Sequence, residues 1–74
     1  MEQKYFNEYK QLALNISYYR KARGLSQMQL AEQVDISRTH MSRIENCDCA
    51  LSLDVVFAIA RALDVPASKL FEHR

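Results

Sequence analysis

Seventy-four residues suit one domain, because a chain this short buries only about 60% of its unfolded surface and has no room for a second core. Apolar residues make up 49% of it, while a single Gly and a single Pro leave little of the punctuation that hairpins need, so the composition predicts helices and argues against a β fold. A net charge of +1 means that overall charge cannot mark the chain as a nucleic-acid binder.

From Tyr5 the apolar positions Tyr5, Tyr9, Leu12, Ile16 and Tyr19 advance in steps of four and three, which predicts a helix over about residues 4–23 with this stripe as ordinary core. Gly24 supplies the positive φ that closes such a helix, and Lys21 and Arg23 suit the negative end of its dipole. Ser26-Gln27-Met28-Gln29 then reads as a capping box, with Leu25 and Leu30 in the two hydrophobic-staple positions, opening a second helix that runs to about Val34. Ser37 offers another N-cap only three residues on. Ile36 and Met41 stand in the same staple relation, and Ile44 continues the apolar face. Two helices so closely joined must cross steeply, the helix-turn-helix arrangement, here over about residues 26–45. Ser52 caps a fourth helix with Leu53, Val56, Phe57, Ala60 and Leu63 as its buried face. Pro66 suits the first turn of a short fifth, whose Leu70 and Phe71 fold back onto the core. The expectation is an all-α, compact five-helix bundle, one domain over residues 1–74.

The stretch LSQMQLAEQVDISRTHMSRIE, residues 25–45, closely resembles the phage-repressor-like (Cro/XRE-type) helix-turn-helix regulators, and the likeness extends more loosely from about Leu12 to ALDVPASKLF at the end. The resemblance implies the lambda-repressor-like DNA-binding fold, with the recognition helix, about residues 37–46, in the major groove and the preceding helix across the backbone. By position it implies base readout by Ser37, Arg38, Thr39 and Arg43. The residues themselves lead to the same group: Ser37, Arg38, Thr39, Ser42 and Arg43 lie opposite Met41 and Ile44, so burying the apolar pair turns the polar set outward. Arg can grip guanine O6 and N7 with two hydrogen bonds, and a Thr methyl can touch a thymine methyl. Gln27 matches a family position that bonds a phosphate, and Ser26, Tyr19, Arg23, His40 and Ser42 are further phosphate candidates. An internal ion pair between Arg20 and Glu45 is also implied.

Positive charge is concentrated here: Arg20, Lys21, Arg23, Arg38 and Arg43 face only Glu32 and Asp35, whereas residues 49–74 balance three against three. The chain departs from the family where Asp35, Cys47 and Asp64 occupy positions usually held by left-handed Gly. Asp tolerates that conformation better than Cys, so the turn at Cys47 is expected to differ. Asp48 and Cys49 stand where basic residues often meet phosphate, which predicts fewer such contacts and modest affinity.

Blander readings exist for each feature. Arg38 and Arg43 could be solvated surface charges, and Gln27 a polar first-turn residue. Cys47 and Cys49 are too close for an easy intrachain disulfide and too few, even with His40 or His73, for a structural zinc, so reduced thiols and no metal are expected. No apolar run approaches a membrane span, and the N-terminus lacks a signal peptide's layout, which predicts a cytoplasmic protein. With no phosphate-cradling Gly loop and no His-Glu-x-x-His, neither an enzyme nor a cofactor or small-molecule ligand is expected.

The leading functional expectation is a sequence-specific regulator of transcription, such as a repressor, on double-stranded DNA. A lone reading helix covers only about four or five base pairs, so a homodimer on a two-fold operator is expected, with half-sites about 34 Å apart. Leu51, Val55 and Phe71 are candidate dimer contacts, or else peripheral core. The alternative is an adaptor or antitoxin-like interaction module in which DNA is secondary, a reading favoured by the low net charge and opposed by the polar cluster near Arg38.

Overall fold

Three of the five helices begin on a serine whose hydroxyl accepts a backbone N–H three residues on: Ser26 from Gln29, Ser37 from His40 and Ser52 from Val55. These caps open α2 (Gln27–Gln33), α3 (Arg38–Glu45) and α4 (Leu53–Leu63), while α1 (Phe6–Ala22) and α5 (Ala67–Leu70) start without a side-chain cap. At Ser26 the box is complete, since the Gln29 Oε1 accepts the Ser26 N–H at 2.8 Å. The computed structural model describes residues 4–73, all of it helix, turn or loop.

Four helices stop in the same way. Left-handed residues stand at Gly24 (φ 72°), Asp35 (61°), Cys47 (59°) and Asp64 (58°). At each, two N–H groups turn back to the last turn of the helix: Gly24 to Lys21 and Leu25 to Arg20, Asp35 to Glu32 and Ile36 to Ala31, Cys47 to Ile44 and Asp48 to Arg43, Asp64 to Arg61 and Val65 to Ala60. This pairing satisfies carbonyls that a helix end would otherwise orphan. The turn at Cys47 therefore keeps the left-handed form, contrary to the expectation from its side chain.

The α3 stop is the least well supplied of the four. Leu25, Ile36 and Val65 follow the other stops and pack against the core, but Asp48 follows Cys47 and is exposed. Cys47→Gly should therefore stabilise the domain by about 1 kcal/mol, the left-handed cost of a Cβ less the extra freedom of an unfolded Gly. Thermal unfolding should show Tm higher by about 4–8 °C. An unchanged Tm would mean that the Cys47 backbone carries no such cost.

The core draws on every helix: Leu12 and Ile16, Leu30 and Ala31, Met41 and Ile44, Val56, Ile59, Ala60 and Leu63, and Leu70. Three sequence expectations need correction. On α1 the buried seam is Leu12, Ala13, Asn15, Ile16 and Arg20; Tyr9 and Tyr19 are half-buried and Tyr5 is exposed, because Tyr5 precedes the helix and does not follow its stripe. On α4 the core takes Val56, Ile59, Ala60 and Leu63, leaving Leu53 61% and Phe57 52% exposed. The two charged residues of LDVVFAIARAL, Asp54 and Arg61, are seven apart and so share one side of the helix, which marks the outward face; the expected stripe is turned part of the way towards it. On α5 Pro66 caps the helix from outside it, Leu70 is buried and Phe71 is exposed, since adjacent residues diverge by about 100° and cannot both face inward.

Asn15 is fully buried among these apolar groups. Its Nδ2 donates to the Leu70 carbonyl at 2.9 Å and the Glu72 carbonyl at 2.7 Å, pinning the end of α5 to the middle of α1. Asn15→Ala should cost about 1–3 kcal/mol by stranding those carbonyls. Hydrogen exchange should show protection lost first around residues 67–72; uniform loss across the domain would contradict the local role.

Candidate nucleic-acid interface

Burial of Met41 and Ile44 sets the rotation of α3, and the Ser37 cap sets where it begins. The remaining faces follow: Ser37, Arg38, Thr39 and Arg43 are exposed, and His40 and Ser42 are half-buried. Arg38 makes no hydrogen bond or ion pair among the described residues, so its guanidinium, on the first turn of α3, is available to an external acceptor.

The far end of α3 is held from two other helices. Arg20 Nε donates to Glu45 Oε2 at 2.6 Å and Arg20 Nη2 to Glu45 Oε1 at 3.0 Å, a two-pronged pair whose side chains are 10% and 6% exposed. Arg20 Nη1 also donates to the Leu25 carbonyl at 2.7 Å, and Gln27 Nε2 to Glu45 Oε1 at 3.2 Å. One carboxylate thereby joins the end of α1, the start of α2 and the end of α3. Guanidinium geometry suits this task, since two parallel N–H groups fix orientation as well as distance. Every buried side-chain polar atom among the described residues has a partner.

The other sequence candidates divide. Ser26 is exposed and its hydroxyl serves the capping box; Gln27 is half-buried and engaged with Glu45. Tyr19 is half-buried and meets Tyr18 edge-on, ring centroids 5.0 Å apart. Arg23 turns to the α4 stop, donating to the Asp64 carbonyl at 3.2 Å with Asp64 Oδ2 at 3.4 Å. Arg43 leans on the following turn, donating to the Asp48 carbonyl at 3.3 Å with Asp48 Oδ2 3.9 Å from its Nε. Both of the latter pairs are largely exposed and so only weakly held. Sequence reasoning treated Asp48 as a repulsive neighbour of phosphate and missed that it partners Arg43. The signal was available in the five-residue separation across a left-handed stop.

Leu51 and Val55 are half-buried and pack against the core, whereas Phe71 is exposed. Cys47 and Cys49 are free thiols. Burial pushes the Cys47 thiol above its ordinary range; Lys10 pulls partly the other way, and Cys49 and Asp48 add to the rise. A thiol so placed is a poor nucleophile near neutral pH. Among the described residues no three His, Cys, Asp or Glu side chains gather as metal ligands, and no helix is long and apolar enough to cross a membrane.

Comparison with known proteins places these features in a family. Residues 16–70 match the model of the helix-turn-helix family HTH_3. The control protein C.SmaI of Serratia marcescens is 36% identical over 63 residues, which cover 85% of this chain and 75% of that protein. Among solved structures, the restriction-modification controller protein C.AhdI of Aeromonas hydrophila superposes with a TM-score of 0.87 at 26% identity, covering 92% of this chain and 99% of that one. A hypothetical transcription factor from Neisseria, NHTF, gives 0.85 at 32% identity over 88% of this chain and 75% of that one.

Proposed function

The chain belongs to the helix-turn-helix family HTH_3, and from that premise we propose that it is a sequence-specific, double-stranded-DNA-binding regulator of transcription of the restriction-modification controller kind, working as a homodimer and not as an enzyme. The observation that carries this reading is α3 itself: a short helix fixed in rotation by Met41 and Ile44, held at its end by Arg20 and Glu45, and left with Ser37, Arg38, Thr39 and Arg43 outward. Rigid presentation matters because base recognition depends on placing two hydrogen bonds at once.

In this reading Arg38 and Thr39 meet base edges from the first turn, with Ser37 beside them, and Arg43 reads or steadies one turn later from its seat on Asp48. Ser26, Gln27, His40 and Ser42 lie where phosphates flank the groove, and the α2 backbone adds N–H donors there. Arg23 and Tyr19 are the weaker phosphate candidates, since Arg23 is engaged with Asp64. The chain from 1 to 74 acts as a single DNA-binding domain, and a two-fold operator with half-sites about 34 Å apart supplies the second set of contacts.

Selection of bound duplexes from a random pool, followed by footprinting, tests the proposal. The expected result is an inverted repeat whose half-sites lie one helical turn apart, with affinity falling as salt rises at a logarithmic slope of about 0.9 per phosphate contacted. Failure to enrich any sequence would overturn the specific-readout claim.

A further inference from the structure

We infer that the outward face of α4 is the self-association surface, and that it pairs antiparallel with α4 of a second copy about a two-fold axis beside Phe57 and Ala58. This inference rests on the homodimer reading above and specifies its contact. Leu53 and Phe57, both expected in the core, are instead exposed, and Asp54, Phe57, Ala58, Arg61 and Ala62 line an open groove with Gln33. Apolar surface left out on a helix that the core has already used marks a contact not yet made.

Charge identifies the occupant. Asp54 and Arg61 are exposed and make no ion pair among the described residues. They are seven residues apart, which on a helix means about 10 Å along the axis and nearly the same direction around it. Their midpoint falls between Phe57 and Ala58. A two-fold axis there reverses the second helix, so each Asp54 faces Arg61 of the second copy, and the two Phe57 rings meet near the axis. A contact that is its own complement is what a two-fold interface requires. The signs also suit the dipole of α4, acid first and base last, and antiparallel pairing sets the two dipoles head to tail. None of Ser37, Arg38, Thr39 or Arg43 lines this groove, so the recognition face stays open when it is filled. The eleven residues of α4 span only about 16 Å, so the contact is small and the free dimer weak, to be consolidated on adjacent half-sites.

Sedimentation equilibrium of the full chain without DNA tests this by charge exchange. Asp54→Arg places Arg against Arg at both ends of the pair, and Arg61→Asp places Asp against Asp. Each variant alone should self-associate at least about tenfold more weakly than the parent, with the helical circular dichroism unchanged and Tm only modestly lower, because both positions are exposed but each exchange opposes the α4 dipole. Mixing the two variants should restore dimer as a heterodimer, since both contacts then become Arg against Asp, and the double variant should recover homodimer. Single variants that associate like the parent would reject this face while leaving a homodimer in place. Two weakened variants that do not recover on mixing would reject the antiparallel arrangement. A parent chain that stays monomeric both at high concentration and on its selected operator would overturn the homodimer reading itself.

Discussion

Replacing Arg20 with Ala is expected to cost about 3–5 kcal/mol of folding stability, the largest effect of any single change considered, because it leaves the Glu45 carboxylate buried with only Gln27 as a side-chain partner. The size follows from asymmetry. Forming a buried pair returns little beyond what desolvating two ions takes away, but removing one partner exposes the full cost of the other. Three attachments go at once: both prongs on Glu45 and the bond to the Leu25 carbonyl that steadies the approach to α2. Small domains hold about 5–15 kcal/mol in total, so the variant should be partly unfolded at modest denaturant or temperature. The double variant Arg20→Met, Glu45→Leu separates the stranded charge from lost packing, and should regain most of the loss as a neutral, apolar contact. Denaturant titrations read both. A loss below about 1 kcal/mol for Arg20→Ala, or a double variant no better than the single one, would show that the pair does not brace the three helices.

Arg38→Ala is expected to leave stability unchanged, since that side chain is exposed and unengaged, and to weaken binding to the selected operator by about 1–3 kcal/mol, or about 5–150-fold. Its position on the first turn of α3 decides the form of the loss as well as the size. A base-reading Arg should relax preference at one base pair in each half-site while hardly altering binding to unrelated duplex. A phosphate-binding Arg would instead weaken every duplex alike and lower the salt slope by about one. Binding isotherms on cognate and scrambled duplexes across a salt series distinguish the two, and an equal loss on both would reject readout by Arg38. Arg43→Ala makes a useful contrast, because its guanidinium already leans on Asp48 and has less freedom to follow a base edge.

Much of this architecture was legible because it is encoded over three to five residues. The serine caps at 26, 37 and 52, the Gln29 half of the box and the left-handed stop at Gly24 each join groups close in the chain, and each lies where its pattern indicates. The exposed polar side of α3 followed in the same way, from the i to i+3 spacing of Met41 and Ile44. The Arg20 and Glu45 pair spans 25 residues and came from family resemblance, not from any local pattern. Asn15 lies 55 residues from Leu70, and nothing near position 15 announces that an α5 carbonyl will meet it.

Local hydrogen bonds and the alternation of apolar with polar groups suffice to start helices, stop them and turn one side of α3 outward, because those interactions compete only with nearby alternatives. The rotation of α4 is different in kind. Asp54 and Arg61 already turn the side they share outward, but Leu53 and Phe57 at its border could have gone either way, and their exposure depends on how closely Val56, Ile59, Ala60 and Leu63 fit against α1, α2 and α5. That fit exists only once the other helices are in place, and it is what leaves Leu53 and Phe57, flanked by Asp54 and Arg61, on the outside of the molecule.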